Sequence, residues 1–453
     1  MYNKSVPKRY RKNLLLLIFF LFIGFLVSRL PITGMAEPAR RTLGILLVAA
    51  LLWISEIVPL YITSFVIVFL ETIFLTNFLG GNFKIFLFPF FDSVIALFLG
   101  GLVLAYTLKK FELDEWFLFT ILKRVGNSPS RVLLGLMGVT AFLSMWMSNT
   151  AATALVIGLV LVLIEKVPSE DPLIKALALG VPFAANIGGI GTPIGTPPNA
   201  LAIGILREKG ISLSFLQWVS FGLPIVIILF FLIYFILRLR FRSKLKEVKL
   251  AEYKAERFSK EQKIILVVFG LTLILWLTAE LHKIPSSIVS LLPVIIFGVI
   301  GFLEEEDLGK IGWDTLILMG GGLSLGLAIE RSGLSSWFVK QTSVILSSKF
   351  LLIGGMTFVT IILTSFISNT SAAAILLPIA TSLMAKPFGI ALVVAIASSI
   401  AMVLPTSTAP NAIAYGSGLI KVKDMLKTGV IIAILAGIII MSSGIIVTNL
   451  FFH

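Results

Sequence analysis

The chain has 453 residues, 58% of them apolar and only 13% charged, and its mean hydropathy is +1.04. Soluble domains lie near half apolar and a quarter charged, so this composition belongs to membrane proteins and excludes disordered, collagenous and coiled-coil chains. With no cysteine and only two histidines, His282 and His453, the chain lacks the means for thiolate chemistry, disulfide scaffolds, zinc clusters or histidine-based triads.

About 20 apolar residues cross a bilayer core, whereas roughly 10 to 14 fall short and more often fold back. By that ruler, full crossings are expected near 14–30, 42–58, 60–78, 94–108, 219–241, 263–281, 286–303, 314–330 and 428–450. Two more, 173–206 and 390–418, are interrupted by Pro, Gly, Ser and Thr and read as broken helices, giving eleven crossings. The stretches 131–165 and 350–385 each split at a Ser-Asn-Thr triplet into halves too short to span, so both read as re-entrant helical hairpins. The fold class is therefore an all-α polytopic membrane protein. The first segment follows Lys4, Lys8, Arg9, Arg11 and Lys12, and its apolar run of 17 residues is too long for a typical signal sequence. A retained first helix is expected.

The formal charge of +14 could suggest nucleic acid. Its placement argues otherwise. With the N-terminus inside, 26 of the 37 basic residues fall on the cytoplasmic side and 11 outside. This bias matches the positive-inside rule and places His453 outside. Ten of the cytoplasmic residues lie between Arg238 and Lys263, around a linker at 242–262 that reads as a solvated connector.

Residues 100–117 (GGLVLAYTLKKFELDEWF) and 321–338 (GGLSLGLAIERSGLSSWF) agree at seven of eighteen ungapped positions. The Ser-Asn-Thr triplets at 148 and 368 recur at nearly the same separation, and the order of hairpin and broken helix repeats. Each copy also has a nearby acidic residue, Asp92 or Asp314, suited to capping its helix. The chain thus divides into an N-terminal tail and first helix (1–39), a first repeat (40–241), the linker, and a second repeat (263–453). Five crossings per repeat invert the second against the first, as in many transporters.

Non-helical backbone at membrane depth is tolerated only where it is buried in protein or lines a cavity. Four such breaks are expected to meet: Ser148-Asn149-Thr150, Ser368-Asn369-Thr370, Gly188 to Asn199, and Pro405 to Asn411. Each marks a helix start, through a capping hydroxyl or through Pro197-Pro198 and Pro410 in a first turn. Four helix N-termini of roughly +0.5 charge each amount to about +2, which suits a dianion without Lys or Arg. The opposing C-terminal carbonyls, beside Ser, Thr and Asn oxygens, suit a hard cation such as sodium. The breaks hold no carboxylate for proton relay. Glu56, Glu71 and Glu280 read as interfacial or structural, Gly100-Gly101 and Gly320-Gly321-Gly322 as helix-packing surfaces, and His282 as a loop residue.

The motifs WISEIVP (53–59), DSVIALFLGG (92–101), MSNTAATAL (147–155), GTPPNALA (195–202), WDTLILMGGGL (313–323), ISNTSAAAILLP (367–378) and PTSTAPNAIAYGSG (405–418) resemble the divalent anion/sodium symporter family, the INDY-type dicarboxylate carriers. The resemblance implies a homodimer with a scaffold part and an elevator-like transport part carrying both hairpins and both broken helices. It implies substrate contacts from Ser148, Asn149, Thr150, Thr196, Ser368, Asn369, Thr370 and Thr408. It implies one sodium site at Ser144, Ser148, Asn149 and the Gly195 carbonyl, and a second at Thr364, Ser368, Asn369 and the Ser407 carbonyl. The second break departs from the first in having Ala409 where the first has Pro197. The expected activity is sodium-coupled transport of C4-type dicarboxylates such as succinate, malate or fumarate across the cytoplasmic membrane. Sodium-independent dicarboxylate exchange and carriage of sulfate or another oxyanion are the alternatives; an enzyme is not expected.

Overall fold

The structure is a computed structural model and describes residues 8–165, 167–248, 258–341, 348–384 and 386–450. Lys4, Lys166 and the middle of the linker, which entered the charge count, and His453, placed outside by it, lie outside the described residues. Among the described residues the chain is all-helical. The first half runs α1 (Lys8–Arg29), α2 (Glu37–Ser55), α3 (Leu60–Leu75), α4 (Ser93–Lys110), α5 (Leu113–Val125), α6 (Pro129–Ser144), α7 (Asn149–Ile164), α8 (Leu173–Gly188), α9 (Pro197–Glu208) and α10 (Phe215–Arg240). The second runs α11 (Lys260–Leu277), α12 (Ala279–His282), α13 (Ser286–Val289), α14 (Leu291–Val299), α15 (Glu305–Leu308), α16 (Trp313–Arg331) and α17 (Leu334–Gln341). It continues with α18 (Lys349–Thr364), α19 (Asn369–Ser382), α20 (Phe388–Ser398), α21 (Ala409–Gly416) and α22 (Val422–Leu450).

Seven of the described helices are long and apolar enough to cross a membrane: α1, α2, 60–78, α4, 173–191, α10 and 422–449. The arms of the two expected hairpins, α6/α7 and α18/α19, are 14 to 16 residues long. At 1.5 Å per residue each arm reaches about 21 to 24 Å, short of the roughly 30 Å core. The breaks at 144–149 and 364–369 fall at the two triplets.

Burial orders the helices. Large apolar side chains on α1, α3, α10, α11 and α22 are exposed, as lipid-facing surface would be. By contrast, every residue of α20 and all but Lys175 of α8 are buried, so the first halves of the broken helices lie in the interior. Glycines set the close approaches: a Cβ on Gly100 would collide with the Ser290 carbonyl, and one on Gly321 with Ser64. The Gly-Gly runs are therefore packing surfaces, as read. Ser290 is also where the expected single helix 286–303 divides into α13 and α14, with its hydroxyl bonded to the Ser286 carbonyl at 2.7 Å.

The acidic caps differ from expectation in one case. Asp92 caps α4, accepting from the Val94 amide at 2.8 Å, and pairs with Arg207. Asp314 instead lies inside the first turn of α16, whose N-cap is Gly312 at φ 83. Glycine tolerates that left-handed conformation and starts the helix two residues earlier. Glu56 ends α2 as an exposed left-handed cap, and Glu280 accepts a bond from Ser214 at 2.9 Å. Glu71 is buried and takes the Ser324 hydroxyl at 2.5 Å, tying α3 to α16. His282 closes α12, with Nε2 2.8 Å from the Leu275 carbonyl.

Candidate substrate and cation site

A cavity of about 250 Å³ lies where the hairpin tips and helix breaks meet. All eight expected substrate residues line it: Ser148, Asn149 and Thr150; Ser368, Asn369 and Thr370; Thr196; and Thr408. Gly195 and Ser407 line it too. The opposite wall comes from Phe98, Gly101, Leu102 and Ala105 of α4 and Thr315 of α16.

The helix starts are built by local chemistry. Ser148, in an extended conformation, caps α7 by accepting from the Ala151 amide at 3.2 Å. Ser368 caps α19 through the Ser371 amide at 3.1 Å, and Thr408 caps α21 through the Asn411 amide at 3.3 Å. Thr196 is the N-cap of α9 without a side-chain cap bond, and Pro197 and Pro198 open that helix. All four N-cap residues line the one cavity. First-turn amides have no intrahelical acceptor, so four positive helix ends face the same small volume.

Two asparagines hold the breaks open. Asn199 Nδ2 donates to the carbonyls of Gly189 at 2.9 Å and Thr192 at 2.8 Å. Asn411 Nδ2 donates to the carbonyls of Ala401 at 2.7 Å and Leu404 at 3.0 Å, with Ser407 Oγ at 3.1 Å. Each side chain replaces the hydrogen bonds its unwound backbone loses. The two broken helices also touch through Asn186 Nδ2 and Asn411 Oδ1, 3.3 Å apart.

Beside each tip sits an oxygen-rich shell. Ser144 Oγ lies 2.6 Å from Asn149 Oδ1 and 2.8 Å from the Ala185 carbonyl oxygen. A Cβ placed on Gly189 would stand 2.8 Å from Asn149 Oδ1 and 2.9 Å from the Gly195 carbonyl oxygen, so these two oxygens converge on one point. In the second half, Thr364 Oγ1 lies 2.9 Å from Asn369 Oδ1 and 2.6 Å from the Ser398 carbonyl oxygen. A hydroxyl has one proton, so with the amides in this orientation Ser144 and Thr364 can each satisfy only one of their two oxygen neighbours. A small hard cation balances the oxygen left over, and these donors are of the kind sodium prefers. Ser148 and Ser368 give their hydroxyls to capping, while the Ser407 hydroxyl bonds back to the Leu404 carbonyl at 2.6 Å. The carbonyl is the atom Ser407 has left to offer.

Sequence reasoning missed Thr315, Asn186, Asn199 and Asn411 as individual contributors. Asn186 carries a signal that could have found it: a buried polar residue in the otherwise apolar run 176–188. Asn199 and Asn411 were counted only as the ends of their breaks.

Polar helix breaks around a small internal cavity in an all-helical apolar chain define a membrane transporter. The chain belongs to the divalent anion/sodium symporter family: the family model described as the sodium:sulfate symporter transmembrane region matches residues 8–452. A sodium-dependent dicarboxylate transporter of Staphylococcus saprophyticus is 31% identical, over 90% of this chain and 86% of that protein. An uncharacterised transporter of Methanocaldococcus jannaschii is 33% identical, over 93% and 97%. Among solved structures, the YdaH transporter of Alcanivorax borkumensis superposes with a TM-score of 0.57 at 12% identity, over 98% of this chain and 99% of that one. MtrF of Neisseria gonorrhoeae gives 0.55 at 12% identity, over 97% and 95%, a likeness of fold.

Proposed function

We propose that the protein is a sodium-coupled carrier of small dicarboxylates of the succinate, malate and fumarate type. The observation that carries this reading is the meeting of four helix N-caps, Ser148, Thr196, Ser368 and Thr408, at one cavity that no Lys or Arg lines. Backbone ends amounting to about +2 complement two carboxylates, and Thr150 and Thr370 add hydroxyl donors. Sodium would be held by Ser144, Ser148, Asn149 and the Gly195 carbonyl on one side. Thr364, Ser368, Asn369 and the Ser407 carbonyl would hold it on the other. Bound cations supply positive charge beside the anion. Because Asn149 and Asn369 each belong to one shell and also to the cavity wall, an occupied cation shell orients the amide that meets the substrate, and binding is coupled.

The repeated order of hairpin and broken helix, and the matching contacts of Ser144 with Asn149 and Thr364 with Asn369, support two inverted repeats at 40–241 and 263–453. Basic residues concentrated on one side support a cytoplasmic N-terminus and an outward C-terminus. Homodimeric assembly and elevator-like movement of the hairpins with the broken helices follow from the family resemblance.

Proteoliposomes containing the purified protein test the reading. Uptake of labelled succinate that requires an inward sodium gradient is the expected result. Uptake that ignores sodium but needs internal dicarboxylate makes the protein an exchanger. Competition by sulfate and not by succinate moves it to the oxyanion side of the family.

A further inference from the structure

We propose that a second cavity, at the linker end of α10, holds the headgroup of an anionic phospholipid. This cavity of about 550 Å³ lies between the first turn of α6, the start of α8, the end of α10 and the segment that follows it. Arg238, Arg242 and Lys246 line it. Among the described residues none of the three has an ion-pair partner. A nearby carboxylate, Asp171, makes no ion pair with them: its oxygens accept from the Leu173 amide at 2.9 Å and the Lys244 amide at 3.2 Å. The wall is also pinned by the Val248 amide on the Asn127 carbonyl at 2.7 Å. Its shape therefore rests on backbone bonds that the three cations do not make.

The rest of the cavity is apolar, with Leu133, Leu173, Phe235 and Leu239. From it an exposed apolar stripe runs back along α10 through Leu239, Phe235, Phe231 and Ile228, which are 69%, 49%, 45% and 50% exposed. Steps of three and four residues keep these side chains on one helix face. A cationic cup at the end of an apolar track matches an amphiphile with a negative head. Zwitterionic lipids bring their own cation, and soluble anions have no use for the track. Basic pockets between membrane helices bind anionic headgroups in this way. A lipid seated here would join α10 to the base of the hairpin arm whose far end carries Ser144.

The test uses the delipidated full-length protein in detergent, titrated separately with phosphatidylglycerol, phosphatidylcholine and glycerol 1-phosphate. Thermal unfolding and native mass spectrometry are the readouts. Phosphatidylglycerol is expected to raise the melting temperature and to remain bound, and the other two to do neither. The triple substitution R238Q/R242Q/K246Q is expected to lower phosphatidylglycerol affinity on the order of 100-fold, while the lipid-free melting temperature stays unchanged. Equal retention of phosphatidylcholine overturns the proposal, as does an equal shift by glycerol 1-phosphate, which would mark a soluble-anion site. Unchanged phosphatidylglycerol affinity in a folded triple variant also overturns it. Should that variant not fold, the comparison of the two lipids on the unaltered protein decides alone.

Discussion

The two broken helices are built alike but sit in different surroundings. In the first break, residues 188–196 are all buried, and glycines bring the chain back against itself so that Gly189 and Gly195 nearly touch. In the second, Val403, Leu404 and Thr408 are half-buried and Thr406 is exposed. The hydroxyl of the first oxygen shell comes from Ser144, that of the second from Thr364. The first N-terminus opens Thr196-Pro197-Pro198, whereas the second opens Thr408-Ala409-Pro410 and so keeps one more amide at the cavity. The same polar skeleton thus sits once in a dry, closed setting and once in a wetter, looser one. Differences between the halves should follow burial rather than residue identity.

The largest effects fall where the halves are alike. If the proposed site is right, Asn149→Ala and Asn369→Ala are each expected to reduce sodium-driven succinate uptake on the order of 100-fold or more, because each amide would then serve both a cation shell and the anion wall. Size-exclusion profiles should stay those of the unaltered protein. Full uptake by either variant removes that tip from the mechanism.

Next come the asparagines that hold the breaks, where the halves should part. Asn199→Ala strands the carbonyls of Gly189 and Thr192 in a break that water does not reach, at about 1–3 kcal/mol per buried unpaired group. Asn411→Ala strands the buried carbonyl of Ala401 and the half-buried one of Leu404, the latter two residues from the exposed Thr406. Thermal unfolding should therefore show the Asn199 variant to be the less stable by about 1–2 kcal/mol. Equal losses would mean that exposure at Thr406 does not carry water into the second break.

The extra amide gives a smaller and cleaner contrast. Ala409→Pro copies the first half, and Thr408 already has the extended φ −146, ψ 153 that a following proline requires. Proline is tolerated at the first helical position, so the fold should be kept while one neutral donor to the substrate is lost. The succinate KM is expected to rise roughly 3- to 10-fold, matching about 0.5–1.5 kcal/mol for one hydrogen bond. An unchanged KM would show that this amide does not face bound substrate.

The features legible in the sequence were those written in residue type. Ser-Asn-Thr triplets, Pro-Pro and Gly runs announce a helix break wherever the neighbours are apolar, and the eight substrate positions that the family resemblance implies at those breaks line one cavity. What escaped depends on where the chain goes afterwards. Hydropathy along 286–303 cannot register the division at Ser290, where α4 packs closely at Gly100. Asp314 looks like a cap until Gly312, at φ 83, starts the helix ahead of it. The clamping bonds of Asn199 and Asn411 reach carbonyls seven to ten residues back, set by the path of an irregular loop. Helix α5 joins two membrane segments and is too short and too charged for the hydropathy ruler.

That helix supplies the smallest expected difference between the halves. Asp114, in the first turn of α5, is buried, whereas the corresponding helix α17 carries buried Ser335, which has no charge to lose. Burial pushes the Asp114 carboxyl up to about 6, against partial relief from the Glu115 amide at 3.1 Å. A folded-state pKa above the unfolded value means that the native protein binds more protons between about pH 4 and pH 6. This group's contribution therefore favours folding at the acid end of that window and declines as pH rises through it. Asp114→Asn should flatten that part of the stability profile by about 1 kcal/mol after solvent screening, with succinate uptake at neutral pH unchanged. A variant whose melting temperature follows the same curve as the parent from pH 4 to pH 6 would show that Asp114 is solvated, and that α5 does not press onto the body of the protein at its first turn.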